Sequence, residues 1–164
     1  MPWSPRPLTE ELRQAYAATT FTALVPGGEL RLRVGERHPD LDALQSEPGQ
    51  FAWAYITAHN PGSVPTEPAA NERAHRQLIA EVVRRRFQYY EGSGIPDDRA
   101  WPPEQSVLIL GIAEEEAVAV GARFGQLAIV AGTRGEPARL VAVAPSDRDD
   151  DSDPLMSLSR RPTP

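Results

Sequence analysis

The sequence predicts an α+β domain, and three patterns carry that expectation. Across Glu29 to Val34, Leu30, Leu32 and Val34 alternate with Arg31 and Arg33, the period-two signature of a strand with one buried face. From Thr66 to about Arg86 the spacing becomes helical, placing Asn71, Ala74, Leu78 and Val82 on one core-facing stripe. Val107-Leu108-Ile109-Leu110 is an unbroken apolar run, which argues for a central strand.

The remaining elements follow in chain order. Thr9 to Ala18 is a short helix, with Glu10 and Glu11 in the first turn where acids favour the helix dipole. Phe21 to Val25 and Glu29 to Val34 pair as a hairpin across Pro26-Gly27-Gly28. Pro39 to Ser46 is a helical turn or two, and Phe51 to Ala58 is a strand. Thr66 caps the long helix, with Glu67 and Pro68 in its first turn. Phe87 to Tyr90 is a short strand that stops at Gly92-Ser93-Gly94, and Ser106 to Ile112 is the central strand. Ala113 to Arg123 is a helix with three glutamates at its start and Gly125 just past its end. Leu127 to Ala131 and Arg139 to Val143 are the last strands. Phe51 to Ala131 therefore reads β-α-β-β-α-β. That predicts a ferredoxin-like core in a two-layer α/β sandwich, extended by an N-terminal β-hairpin and a C-terminal strand.

Composition sets the outer limits. At 164 residues, with 40% hydrophobic and 24% charged, the chain suits one globular domain, here residues 8–144. Residues 1–7 hold three prolines and should be extended. Residues 145–164 form an acidic, then Ser/Arg/Pro-rich stretch with the composition of a disordered tail. Its acids at 147, 149, 151 and 153 do not make a calcium loop, since Ser152 and Leu158 stand where Gly and Glu are needed. Net charge is −6, so nothing global recruits nucleic acid or an anionic membrane. The absence of cysteine excludes disulfides, thiolate chemistry and cysteine-ligated metals. All 17 basic residues are arginine, which removes lysine Schiff-base chemistry and the lysine of a phosphate-binding loop. With no long apolar run and no signal peptide at Met1-Pro2-Trp3-Ser4-Pro5, a cytoplasmic location is expected.

Three polar stretches carry the functional expectation: Ile56 to Pro61, Trp101 to Ser106 and Phe124-Gly125-Gln126. In the predicted topology each stands where a strand starts or stops on the same sheet edge. Thr57, Asn60, Ser63, Asn71, Glu104, Ser106 and Gln126 are thereby the candidate ligand-binding set. Asn71, the polar member of the helical stripe, has a plainer reading as a clamp on the His59 to Pro65 loop, because buried amides mostly bond to backbone.

At these residues the chain resembles a family of bacterial proteins known as domain of unknown function 3293. The resemblance runs from about Leu12 to Val143. It rests on Tyr16-Ala17-Ala18-Thr19, Ile56-Thr57-Ala58-His59-Asn60-Pro61-Gly62-Ser63, Asn71, Trp101 through Ser106, Leu110-Gly111 and Arg123 through Ile129. Two departures stand out: Gln105 where the family usually has a second acid, and His59 where an aromatic is common. The first weakens a paired-carboxylate mechanism, and the second makes His59 a poor obligatory catalyst. The resemblance implies a shared fold and pocket and supplies no reaction.

Each chemistry competes with a plainer role. Glu104 and His59 are the catalytic candidates as general acid or base, and His59 with His75 could ligate zinc or manganese; no cofactor or metal is expected from so sparse a set. Ser63 and Ser106 lack a nucleophile elbow or triad. Arg84-Arg85-Arg86 reads as a solvated helix end. Trp53, Tyr55, Tyr89 and Tyr90 would be the stacking platform of an RNA binder, which the acidic charge opposes. Trp101 either lids the pocket or anchors its loop in the core. The leading expectation is a module that binds a small polar ligand or a protein partner without catalysis. The competing readings are a hydrolase or transferase using Glu104 or His59, and a purely structural polar network.

Overall fold

In the computed structural model, which describes residues 7–143, seven strands form one antiparallel sheet. The chain runs α1 (Glu10–Ala17), β1 (Thr19–Val25), β2 (Gly28–Leu32), α2 (Pro39–Leu44), β3 (Ala52–Thr57) and α3 (Pro68–Arg84). It continues through β4 (Gln88–Pro96), β5 (Glu104–Leu110), α4 (Glu114–Arg123), β6 (Ala128–Thr133) and β7 (Arg139–Ala142). The strand order is β2-β1-β4-β5-β3-β6-β7, with β3 between β5 and β6.

The expected two-layer ferredoxin-like sandwich does not form. Such a sandwich packs helices on one sheet face and leaves the other to solvent, whereas here both faces are buried. On the convex face Ala54, Ile56, Val107, Ile109 and Ile129 pack against Leu78 and Val82 of α3 and Ala117 and Val120 of α4. On the opposite face Trp53, Tyr55, Leu108, Leu110 and Val130 pack against Phe21 and Leu32 of the hairpin and Leu41 of α2. The hairpin is thus no appendage. It curls the sheet over its own concave face into a half-barrel. The flanks of the outer strands meet, Gly35 N–H donating to the Ala138 carbonyl at 2.8 Å and Ala138 N–H to the Glu36 carbonyl at 2.9 Å.

Curling begins where β1 leaves β4. Ladder pairing covers only Thr19 to Phe21 against Gly94 to Pro96. Beyond it the Thr22 hydroxyl takes over, accepting from Ser93 N–H and donating to the Ser93 carbonyl, both at 3.1 Å. The Tyr55 hydroxyl donates to the freed Thr22 carbonyl at 2.7 Å. Gly92 permits this approach: a Cβ there would stand 1.7 Å from the Thr22 carbonyl oxygen. Gly92-Ser93-Gly94, expected as a turn, therefore lies inside a strand that runs on to Pro96. The glycines answer to a crossing backbone rather than to a bend.

Two smaller expectations also change. Thr66 does not cap α3, whose N-cap is Glu67; its hydroxyl donates to the Val64 carbonyl at 3.0 Å. Arg84-Arg85-Arg86 is no simple solvated end. Arg84 and Arg85 bind the Glu81 carboxylate at 2.5 and 2.8 Å, and Arg85 also reaches Glu116 at 2.9 Å. These guanidinium contacts, Arg84 first, hold the Glu81 carboxyl at about 2. The reading of residues 145–164 as a tail lies outside the described residues, as does most of the extended stretch at 1–7.

Candidate functional site

A cavity of about 230 Å³ opens on the concave face, between the sheet and α1. Its position follows from strand periodicity. In β3 the side chains of Trp53, Tyr55 and Thr57 share the concave face, and in β5 Glu104, Ser106 and Leu108 do the same. The apolar members fill the inner core. Thr57, Glu104 and Ser106, at the strand ends, line the mouth. α1 lies across it with Leu12, Ala15 and Tyr16, and Trp101 stands at the rim. Trp101 is 58% exposed, so it does not anchor its loop in the core.

The loop from His59 to Thr66 supplies the polar wall. Asn60 adopts a left-handed backbone at φ 49° and Ser63 does so at φ 59°, conformations that cost energy in residues other than glycine. Hydrogen bonds hold them. Asn71 accepts from Asn60 N–H and donates to the Asn60 side-chain oxygen, each at 2.9 Å. Thr66 N–H donates to the same oxygen at 3.0 Å. Gly62 N–H donates to the Gly125 carbonyl at 2.8 Å. Gln126 Nε2 donates to the His59 carbonyl at 3.0 Å. Asn71 and Gln126 thus clamp the loop from two sides. Gln126 also lines the cavity, while Asn71 stays behind the wall.

Glu104 is the charged residue on the cavity wall. Asn60 Nδ2 donates to its Oε1 at 2.8 Å. Among the described residues the second oxygen has no hydrogen-bond donor. Burial pushes this carboxyl above its ordinary value, against the opposing effect of the Asn60 bond. The Tyr16 hydroxyl is pushed up to about 12, chiefly by burial and then by the nearby Glu104 charge. Burial also raises Tyr55, deeper in the same cavity.

A model of the family described as "Protein of unknown function (DUF3293)" matches residues 56–129. Over those residues the chain is similar to that family. A comparison with curated proteins found no match, and neither did a comparison with solved structures. The DUF3293 match is narrower than the span of the sequence resemblance, yet it contains Thr57, Asn60, Ser63, Asn71, Glu104, Ser106 and Gln126. The polar wall lies within the matched residues. The α1 cover, with Leu12 and Tyr16, lies outside the matched residues.

The structure brings six of those seven residues to the cavity and sets Asn71 behind it. Two of their hydroxyls are engaged: Thr57 donates to the Gln105 carbonyl at 2.8 Å and Ser106 to the Glu104 carbonyl at 3.0 Å. Gln105, where a second acid is usual, is exposed and faces away from Glu104 by strand alternation. An acid there would not share the cavity. His59 packs edge-on against His75, ring centroids 6.2 Å apart, and its buried Nε2 has no partner. Burial holds His59 below its ordinary value, His75 adding to the effect and Gln105 opposing it. His75 Nε2 lies 3.0 Å from Glu91. Among the described residues no three histidine or acidic side chains gather as a metal would need. Trp53 and Tyr55, at 2% and 3% exposure, form no stacking platform.

Sequence reasoning missed Tyr16, Tyr55 and Phe21. Tyr16 and Phe21 lie in elements whose place over the mouth depends on the curl. The one available signal was Tyr16 within a string of the sequence resemblance, far from the other strings.

Proposed function

We propose that the protein binds a small ligand in the concave cavity and does so without catalysis. The observation that supports this best is Glu104. A carboxylate kept in apolar surroundings, aimed by Asn60 and left with an unused oxygen, costs folding energy. A purely structural network has no need of it, because Asn60 is already held by Asn71 and Thr66. Its surroundings are those of a recognition site, mostly apolar and aromatic walls with a few convergent polar groups. Cavity size favours a compact guest. At about 230 Å³ it falls between the 150 Å³ that accepts benzene and the roughly 300 Å³ where drug-sized sites begin. Net charge and the buried aromatics disfavour nucleic acid. A protein partner would reach the site through an inserted side chain. Among the described residues no helix is long and apolar enough to cross a membrane, and we take the protein to act in the cytoplasm.

A second reading draws on the carboxyl of Glu104, raised by burial, as a general acid or base. It is weaker because the Thr57 and Ser106 hydroxyls are committed to backbone carbonyls, and Ser63 has no triad to activate it. The test is a fragment screen by ligand-observed NMR on the wild type and on Ala15→Trp. Ala15 is an exposed α1 position at the mouth, so tryptophan there blocks entry without disturbing the core. Hits should vanish in the variant at unchanged melting temperature. Hits that survive the block, or none in the wild type, would remove the proposal.

A further inference from the structure

Resting on that binding site, we infer that its ligand is a small organic cation, an ammonium group on a compact apolar body. The charge would sit at the unused oxygen of Glu104 and the body against Tyr16, Phe21 and Tyr55.

Several observations converge on this class. Glu104 is the acid of the cavity wall, and among the described residues no arginine lines it. A carboxylate drawn partly out of water gains from a cationic partner, and among the described residues this half-buried one has only the Asn60 amide. The nearest basic candidate on the wall, His59, is held toward its neutral form. Arg33, close to the α1 cover, is committed elsewhere: it grips Asp97 through two bonds of 3.1 and 3.2 Å and also the Thr20 hydroxyl and Ala17 carbonyl. Among the described residues none supplies the counter-charge, which leaves that place to a guest. The aromatic side chains around the carboxylate are the usual companions of a bound cation, since their faces carry partial negative charge. An anionic guest would meet Glu104 unscreened, and a neutral guest would leave it without a counter-ion. The overall charge of −6 also draws cations toward the protein.

Three guests of one shape and different charge test the inference: phenethylamine, 2-phenylethanol and 3-phenylpropionate, titrated by calorimetry into the full-length protein. Phenethylamine should bind roughly 10- to 100-fold more tightly than 2-phenylethanol, which is what one charge-assisted hydrogen bond contributes. 3-Phenylpropionate should bind weakest. In Glu104→Gln the ratio between amine and alcohol should fall to about one. If the alcohol or the acid binds as well as the amine to the wild type, the cation assignment is overturned while the cavity remains a binding site. An amine preference that persists in Glu104→Gln overturns the role given to Glu104. If none of the three binds, or binding survives Ala15→Trp, the cavity reading fails as well.

Discussion

Glu104 and Asn60 hold opposite positions in the energetics of the fold. Asn60 stabilises it: its amide satisfies Asn71, Thr66 and Glu104 at once, and these bonds keep a left-handed backbone in place. Asn60→Ala should cost about 2–4 kcal/mol by urea denaturation, since it removes the bonds and retains a Cβ on a strained backbone. Asn60→Gly should recover about 1 kcal/mol of that loss, because glycine adopts the left-handed region freely. Glu104 works the other way. Its folded-state pKa is raised, so its contribution to stability is full below the ordinary 4.5 and is lost as pH rises through the folded value. Glu104→Gln should therefore melt a few degrees above the wild type at pH 7 to 8. The gap should close as pH falls below about 4.5, where the wild-type side chain is protonated too. A wild type that is more stable than Glu104→Gln at pH 8 would show that the carboxylate helps hold the fold.

At the scale of elements, strands and helices follow local patterns closely and their ends follow tertiary contacts. α1 starts at Glu10 behind Thr9, whose hydroxyl accepts from Leu12 N–H, as its sequence suggests. α4 and β5 likewise match their apolar spacing. β4 departs from the local reading, for Gly92-Ser93-Gly94 has the composition of a turn and the geometry of a strand. No local pattern distinguishes a glycine that bends the chain from one that admits a neighbour's carbonyl. Gly92→Ala tests that distinction. A turn glycine without positive φ would tolerate alanine, whereas here the methyl would overlap the Thr22 carbonyl. The expected loss exceeds about 4 kcal/mol or prevents folding, read as protein soluble after expression and its urea midpoint.

For the whole molecule, the decisive event is the rolling of the hairpin and α1 over the concave face. Arg33 fastens that closure, joining β2 to the end of α1, to β1 and to Asp97 just beyond β4. Asp97 N–H donates to the Ala18 carbonyl at 2.8 Å and completes the link. The ion pair is about half-exposed, so Asp97→Asn should change global stability by less than about 1 kcal/mol. Its effect should be local: amide protons of α1 exchange faster, and those of β3 and β5 do not. Uniform loss of protection would mean that α1 opens only with global unfolding.

What the residues determine by themselves is considerable. Period-two and helical spacing set which segments become strands and helices. Chain direction sets Thr57, Asn60, Glu104 and Gln126 at neighbouring strand ends, since β3 runs antiparallel to both β5 and β6. Tertiary structure alone decided that the sheet curls, that the wall becomes a cavity and that Tyr16 and Phe21 cover it. The reason is that curling depends on a single close backbone crossing at Gly92 and on burying a second apolar face. Both join residues far apart in the chain, the crossing across 71 positions from Thr22 to Ser93 and the second face through pairs such as Phe21 and Tyr55, and local patterns do not record such partners.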